Sequence, residues 1–102
     1  MCTVTFIPGA SGYVLAMNRD EQRKRIAGLP PKLFREHGRA AIGPAEPTGG
    51  TWINLNDAGV TLALINWYSV RQQVKGNAVS RGTIIQKLRW ATSSAEVEAG
   101  LQ

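Results

Sequence analysis

Residues 3–17, TVTFIPGASGYVLAM, carry the pattern that decides the fold of the N-terminal part of this chain. Residues 3–7 alternate and are rich in β-branched side chains, which is typical of a half-buried strand. Residues 8–12 have the composition of a turn, and residues 13–17 form a continuous apolar run, so the stretch predicts a β-hairpin. Because the strands of a hairpin are antiparallel, the end of the second strand lies beside the start of the first. The hairpin therefore predicts that Cys2 is a neighbour of the polar run 18–20, Asn-Arg-Asp.

The middle of the chain predicts a loop, a short strand and a second hairpin. Residues 21–38 are charged and interrupted by two adjacent prolines, which predicts a surface excursion. Residues 40–42 predict a short strand. Alternation over 51–55, turn residues at 56–59 and an apolar run over 60–65 predict the second hairpin, which ends at Asn66.

The C-terminal part of the chain predicts helices. An apolar stripe recurs at helical spacing after Ser80, which is the predicted N-cap of the first helix. Ser93 and Glu96 form a predicted capping box for a second helix that begins near Ser94. Strands followed by helices indicate the α+β class.

Length and composition limit the class of protein. The 102 residues suffice for a single domain over 1–102, and no run approaches the about 18 apolar residues of a membrane helix. Without a signal-peptide pattern, we expect a soluble, cytoplasmic protein. The net charge of +5 comes from scattered basic residues without a nucleic-acid-binding motif, so a nucleic-acid partner is not expected. One cysteine and one histidine are too few for a zinc site, and no cofactor is expected.

The position of the only cysteine suggests a chemistry. Removal of Met1 would leave Cys2 with a thiol and a free α-amine, which can act as the base for its own side chain. Such a site also needs an acceptor for the amine, a cation that favours the thiolate and a donor to the oxyanion. Asp20, Arg19 and Asn66 are the predicted residues for these roles. The alternatives are a small buried hydrophobe at Cys2, a surface ion pair and an ordinary turn residue.

Five short motifs carry a resemblance to a known family. They are Met1-Cys2-Thr3, Asn18-Arg19-Asp20-Glu21, Gly49-Gly50-Thr51-Trp52, Asn66 and Ser80-Arg81-Gly82. In this order and spacing the sequence resembles the NRDE family, also called the transport and Golgi organisation family. That family is similar in its N-terminal part to the N-terminal-nucleophile hydrolases of the choloylglycine hydrolase and penicillin V acylase group.

The resemblance implies a fold, an activity and a site. The fold would be the N-terminal part of a four-layer αββα sandwich, truncated at its C-terminus, and the reaction would be hydrolysis of a non-peptide carbon–nitrogen (amide) bond in a small molecule. The implied catalytic residues are Cys2, Arg19, Asp20 and Asn66, and the remaining motif positions are candidates for binding substrate: Asn18, Gly49, Gly50, Thr51, Trp52 and Arg81. The order Asn-Arg-Asp differs from that of the hydrolases, and the hydrolases take further site residues from a second half. A missing C-terminal segment or a second copy of the chain is therefore expected to cover one face of the sheet.

Several alternatives stay open at this point. Some family members are connected with haem movement or with lipid and acyl-CoA metabolism, so a non-catalytic carrier that uses the same pocket is the second hypothesis. For haem, the candidate iron ligands are Cys2, Met17 and His37. The Gly49-Gly50 pair is either a backbone nest or a tight turn. The segment Ser80-Arg81-Gly82 binds an anion at a helix N-terminus, forms a helix cap, or does both.

Overall fold

The first hairpin forms where the sequence predicts it. The computed structural model describes residues 2–19, 27–65 and 82–102. Strands Cys2–Gly9 (β1) and Gly12–Arg19 (β2) pair antiparallel from Gly9 opposite Gly12 to Cys2 opposite Arg19. A turn of two residues joins them. The predicted proximity of Cys2 to the polar run at the end of β2 is confirmed for its described members.

Four further strands form a second antiparallel sheet in chain order. They are Leu29–Glu36 (β3), Arg39–Ala45 (β4), Ile53–Asn56 (β5) and Thr61–Ala63 (β6). The predicted second hairpin is confirmed as β5 and β6, although β6 is shorter than the predicted run, and the predicted short strand at 40–42 is the centre of the longer β4. Asn66, where the second hairpin was predicted to end, lies outside the described residues.

The prediction of an irregular surface excursion over 21–38 is wrong for its second part, which is strand β3. The pairing of β3 with β4 shifts register between Leu29 and Lys32, where Pro30 and Pro31 lie. Because β3 is the edge of the sheet, prolines that lack an N–H are tolerated there at an irregularity of the pairing. Adjacent prolines therefore interrupt the register without ending the strand.

Two short helices follow, as the sequence predicts. They are Gly82–Leu88 (α1) and Ser94–Gly100 (α2). Ser93 is the N-cap of α2, and its hydroxyl accepts a hydrogen bond from the Glu96 N–H. The Glu96 carboxylate accepts from the N–H and hydroxyl of Thr92, one residue before the cap, so it does not close a standard capping box. The predicted N-cap of α1, Ser80, lies outside the described residues.

The helices and the first hairpin lie against opposite faces of the four-stranded sheet. On one face, Ala41 and Asn56 are paired and buried, and the side-chain amide of Asn56 donates to the carbonyls of Arg89 and Ala91 beyond α1. On the other face, Ile42 and Leu55 line a cavity of about 540 Å³ together with residues of β2. The chain therefore has the α+β class predicted, in the layer order helix, sheet and hairpin.

Candidate active site at the first hairpin

The register of the hairpin brings Cys2 and Arg19 together. They are directly opposite each other on β1 and β2, and both are half-buried. Paired residues project to the same face of a hairpin, so the thiol and the guanidinium stem share one face. The next pair along this face is Val4 and Met17. The structure thus places a cationic side chain beside the free thiol.

Asn18 has a different placement. It pairs with Thr3, one residue further along each strand, and it is exposed. Because successive side chains of a strand point to opposite faces, Asn18 projects away from the face that carries Cys2 and Arg19. Its predicted role in substrate binding stays a prediction, and the register separates it from the thiol.

Arg19 is held by two residues from the long connection between β4 and β5. Its Nη2 donates to Glu46 Oε1 at 2.5 Å, and its guanidinium carbon lies 4.0 Å from the centre of the Trp52 ring. The Arg19 and Glu46 side chains are only 15% and 20% exposed, so solvent screens this ion pair less than it screens a surface pair. We call this group the Arg19–Glu46–Trp52 cluster. It fixes the position of the Arg19 guanidinium, whose backbone lies directly opposite Cys2.

Trp52 is itself positioned by close packing against the backbone. A Cβ atom added to Gly28 would lie 2.5 Å from Cη2 of the Trp52 ring. Only a glycine leaves room for the indole at this contact. The candidate substrate-binding residue Trp52 is therefore packed between the Arg19 guanidinium and the chain segment that leads into β3.

The glycine pair before Trp52 forms a tight turn. The Gly49 N–H donates to the Glu46 carbonyl at 2.8 Å, and the Glu46 N–H donates to the Gly50 carbonyl at 2.7 Å. Gly49 has a φ of +95°, which favours glycine, and its carbonyl accepts a hydrogen bond from the Gln86 side chain. These hydrogen bonds are those of a tight turn, which is one of the two alternatives for the Gly49-Gly50 pair.

Thr51 has a structural role in this connection. It is 3% exposed, and its hydroxyl donates to the Pro44 carbonyl at 2.5 Å. Its N–H donates to the Gly82 carbonyl at the start of α1. A Cβ atom on Gly82 would lie 2.9 Å from Cα of Gly50, so α1 begins directly against the glycine turn. The predicted contact of Thr51 with substrate stays a prediction.

Three predicted site residues, Asp20, Asn66 and Arg81, lie outside the described residues. In the part of the chain that the structure describes, no three His, Cys, Asp or Glu side chains are grouped so that they could hold a metal ion. Of the candidate haem ligands, Met17 shares a face with Cys2, whereas the His37 side chain is 89% exposed in the turn between β3 and β4.

Sequence reasoning missed Glu46, which anchors the arginine. It is the only acidic residue over 37–56, and it lies between two prolines that restrict the backbone. A single carboxylate on a loop restricted by prolines predicts an ion pair with a cationic residue of the site. Its partner, 27 positions earlier in the chain, is visible only in the folded structure.

These features define a small α+β protein with a free cysteine at the second position, next to an anchored arginine at the end of a hairpin. The chain belongs to the family described as Transport and Golgi organisation 2 (TANGO2), whose model matches residues 1–99. This confirms the family that the sequence motifs predicted. No curated protein and no solved structure matches the chain, and the similarity to N-terminal-nucleophile hydrolases stays a prediction. None of the helices among the described residues has the length and apolar character needed to cross a membrane.

Proposed function

We propose that this TANGO2-family chain cleaves an amide bond with Cys2 as an N-terminal nucleophile. The observation that carries the proposal is the pairing of Cys2 with Arg19, whose guanidinium is anchored by Glu46 and Trp52. In this proposal the Arg19 guanidinium orients the substrate beside the thiol, because it donates hydrogen bonds from a fixed position. An arginine suits this role because its charge persists at every physiological pH.

The proposed reaction uses the α-amine that removal of Met1 exposes. The amine, with an ordinary pKa of about 8, takes the thiol proton, and the sulfur attacks the carbonyl carbon of the amide. The tetrahedral intermediate then collapses, the carbon–nitrogen bond breaks, and the leaving amine takes the proton from the α-ammonium group. Water, deprotonated by the α-amine, hydrolyses the thioester, so that a carboxylic acid is released and the thiol is restored.

Other residues have proposed roles that depend on the family resemblance. Asp20 would hold the α-amine and Asn66 would donate to the oxyanion, in line with the chemistry that a tetrahedral intermediate requires. Arg81 is a further candidate for binding the substrate. Trp52 would form one wall of the substrate pocket, because its ring already covers the Arg19 guanidinium.

The test compares two forms of the same polypeptide. An N-terminal extension that a specific protease removes directly before Cys2 gives a blocked and a liberated α-amine, and intact mass spectrometry verifies each form. We expect hydrolysis of a panel of N-acyl amides by the liberated form only, and loss of turnover in Cys2→Ala. Equal activity of the blocked form, or full activity of Cys2→Ala, contradicts the proposal.

A second candidate is a non-catalytic carrier of haem or lipid. The cavity of about 540 Å³ between the hairpin and the sheet favours it, because apolar residues such as Leu15, Ile42 and Ile53 line it. A carrier of haem shifts the Soret band of hemin at stoichiometric protein, in Cys2→Ala as well if sulfur is not the ligand. The absence of any shift excludes haem as the cargo.

A further inference from the structure

The face of the hairpin that carries Arg19 continues into the cavity between the hairpin and the four-stranded sheet. Alternate residues of a strand project to one face, so the row of β2 that ends at Arg19 begins with Tyr13 and Leu15. Both of these residues line the cavity. Met17, between Leu15 and Arg19, is half-buried. One row of side chains along β2 therefore leads from the cavity to the residue that lies opposite Cys2.

The larger sheet connects the cavity to the candidate active site from the other side. Pro44 of β4 and Ile53 of β5 line the cavity. Two residues after Pro44, Glu46 accepts a hydrogen bond from the Arg19 side chain. Directly before Ile53, the ring of Trp52 lies against the Arg19 guanidinium. On both strands the lining of the cavity therefore adjoins the Arg19–Glu46–Trp52 cluster, and the cavity and the candidate active site belong to one layer between hairpin and sheet.

The end of the cavity farthest from Arg19 lies at the tip of the hairpin. There the Tyr13 hydroxyl donates to the Gly59 carbonyl at 2.8 Å and lies 2.5 Å from the Thr61 hydroxyl, so these polar groups bond to one another. None of the described residues that line the cavity is charged. A charged group would lose its hydration there without gaining a partner of opposite charge. The cavity therefore suits an uncharged, apolar ligand.

We propose that the cavity binds the acyl chain of the substrate amide, an uncharged hydrocarbon chain with its carbonyl carbon at Cys2 and its far end beside Tyr13. This inference rests on the proposed function, because it assigns the cavity to the half of the substrate that the Cys2 sulfur attacks. In that reaction a sulfur–carbon bond forms, the carbon–nitrogen bond breaks, and the amine leaves with the proton. The acyl half stays bound until water releases it as a carboxylic acid, so a site between two layers positions it for both steps.

The dimensions of the layer indicate the length of chain that this site fits. The cavity has a volume of about 540 Å³, within the range of pockets that bind small molecules. Leu15 and Arg19 are separated along β2 by about 13 Å, at the rise per residue of a strand. An acetyl group at Cys2 therefore ends before Leu15, whereas a decanoyl chain extends into the cavity.

The first test compares two isomeric amides on the liberated form of the protein, which has a free α-amine at Cys2. N-methyldecanamide carries its chain on the acyl side, and N-nonylacetamide carries a chain of similar length on the amine side. Mass spectrometry of the released methylamine or nonylamine gives kcat/KM for each isomer. We expect the value for N-methyldecanamide to be about tenfold higher or more, and each methylene group removed from its chain to lower kcat/KM about two- to fourfold.

A matched pair of substitutions on β2 locates the chain in the cavity. Leu15→Trp fills the cavity from its lining, whereas Val14→Trp adds the same ring to the opposite face of the strand, where Val14 is 59% exposed. We expect Leu15→Trp to lower kcat/KM for N-methyldecanamide about tenfold or more and Val14→Trp to leave it nearly unchanged. Calorimetric titration of Cys2→Ala with N-methyldecanamide, with and without each tryptophan, makes the same comparison without turnover. Circular dichroism verifies that each variant is folded, and the comparison of isomers needs no variant.

The outcomes separate this inference from the proposed function. Cleavage of both isomers with equal kcat/KM, a preference for N-nonylacetamide, or equal effects of the two tryptophans overturns the assignment of the cavity and leaves Cys2 as the nucleophile. Binding of N-methyldecanamide to Cys2→Ala without cleavage of any amide by the liberated wild type overturns the proposed function and this inference with it. In that case the cavity belongs to the carrier that is the second candidate.

Discussion

Two asparagines on one strand provide a direct measurement of what hydrogen bonds contribute to this fold. Asn54 and Asn56 both lie on β5, two residues apart and thus on the same face, and they are 2% and 5% exposed. Asn56 makes four side-chain hydrogen bonds: its Nδ2 donates to the carbonyls of Arg89 and Ala91, and its Oδ1 accepts from the N–H groups of Ala58 and Val60. Asn54 has a buried Nδ2 with no partner among the described residues.

Truncation of the two side chains is therefore expected to have unequal effects. Asn56→Ala removes four hydrogen bonds, each of which contributes about 1 kcal/mol net, and leaves backbone groups unpaired, so the free energy of unfolding falls by about 4 kcal/mol. Asn54→Ala loses packing contacts but also removes a buried donor that has no partner among the described residues. We therefore expect the free energy of unfolding to fall by only about 1 kcal/mol. Since a domain of this size is stable by about 5–15 kcal/mol, the larger loss brings it close to unfolding.

The assay is urea denaturation followed by far-ultraviolet circular dichroism, with both variants measured beside the wild type. With a slope of about 1–1.5 kcal/mol per molar urea, Asn56→Ala lowers the midpoint by about 3 M and Asn54→Ala by less than about 1 M. If the two variants shift the midpoint equally, burial alone determines the loss of free energy of unfolding. The argument that Asn56 joins the sheet to the segment after α1 is then refuted.

Two other predictions concern a carboxylate and a close contact. Hydrogen bonds from the Arg39 side chain and the Ala40 N–H hold the pKa of the Asp57 carboxyl below its ordinary value of 3.8. Because the folded-state pKa is the lower one, this stabilisation is present above pH of about 4 and is lost as the pH falls through the folded pKa. Asp57→Asn should therefore reduce the fall of the urea midpoint on acidification, and an unchanged pH dependence would exclude this role. Gly28→Ala should lower the free energy of unfolding by about 1–3 kcal/mol, because the new methyl group would overlap the Trp52 ring. Gly9→Ala is the control, because the nearest atom to its new methyl group would be 3.6 Å away. The midpoints of urea unfolding of the two variants measure the difference.

The sequence by itself determined the elements that depend on neighbouring residues. Alternation and turn chemistry over 3–17 predicted β1 and β2, and with them the proximity of Cys2 and Arg19. The Ser93 cap predicted the start of α2 at Ser94, which the structure has. These features rest on interactions within a few positions of the chain, where residue type and spacing carry most of the information.

Only the tertiary structure decided the contacts that join distant segments. Pro30 and Pro31 predicted irregular chain, but an edge position next to β4 makes a strand with a register shift possible there. The sequence places Asn56 at the start of the turn 56–59, but it does not predict that the Asn56 amide donates to the carbonyls of Arg89 and Ala91. It also does not predict that Nδ2 of Asn54 is buried with no partner among the described residues. The role of Glu46 likewise depends on its ion pair with Arg19. These residues are 27 positions apart, so the ion pair forms only when packing brings the two segments together.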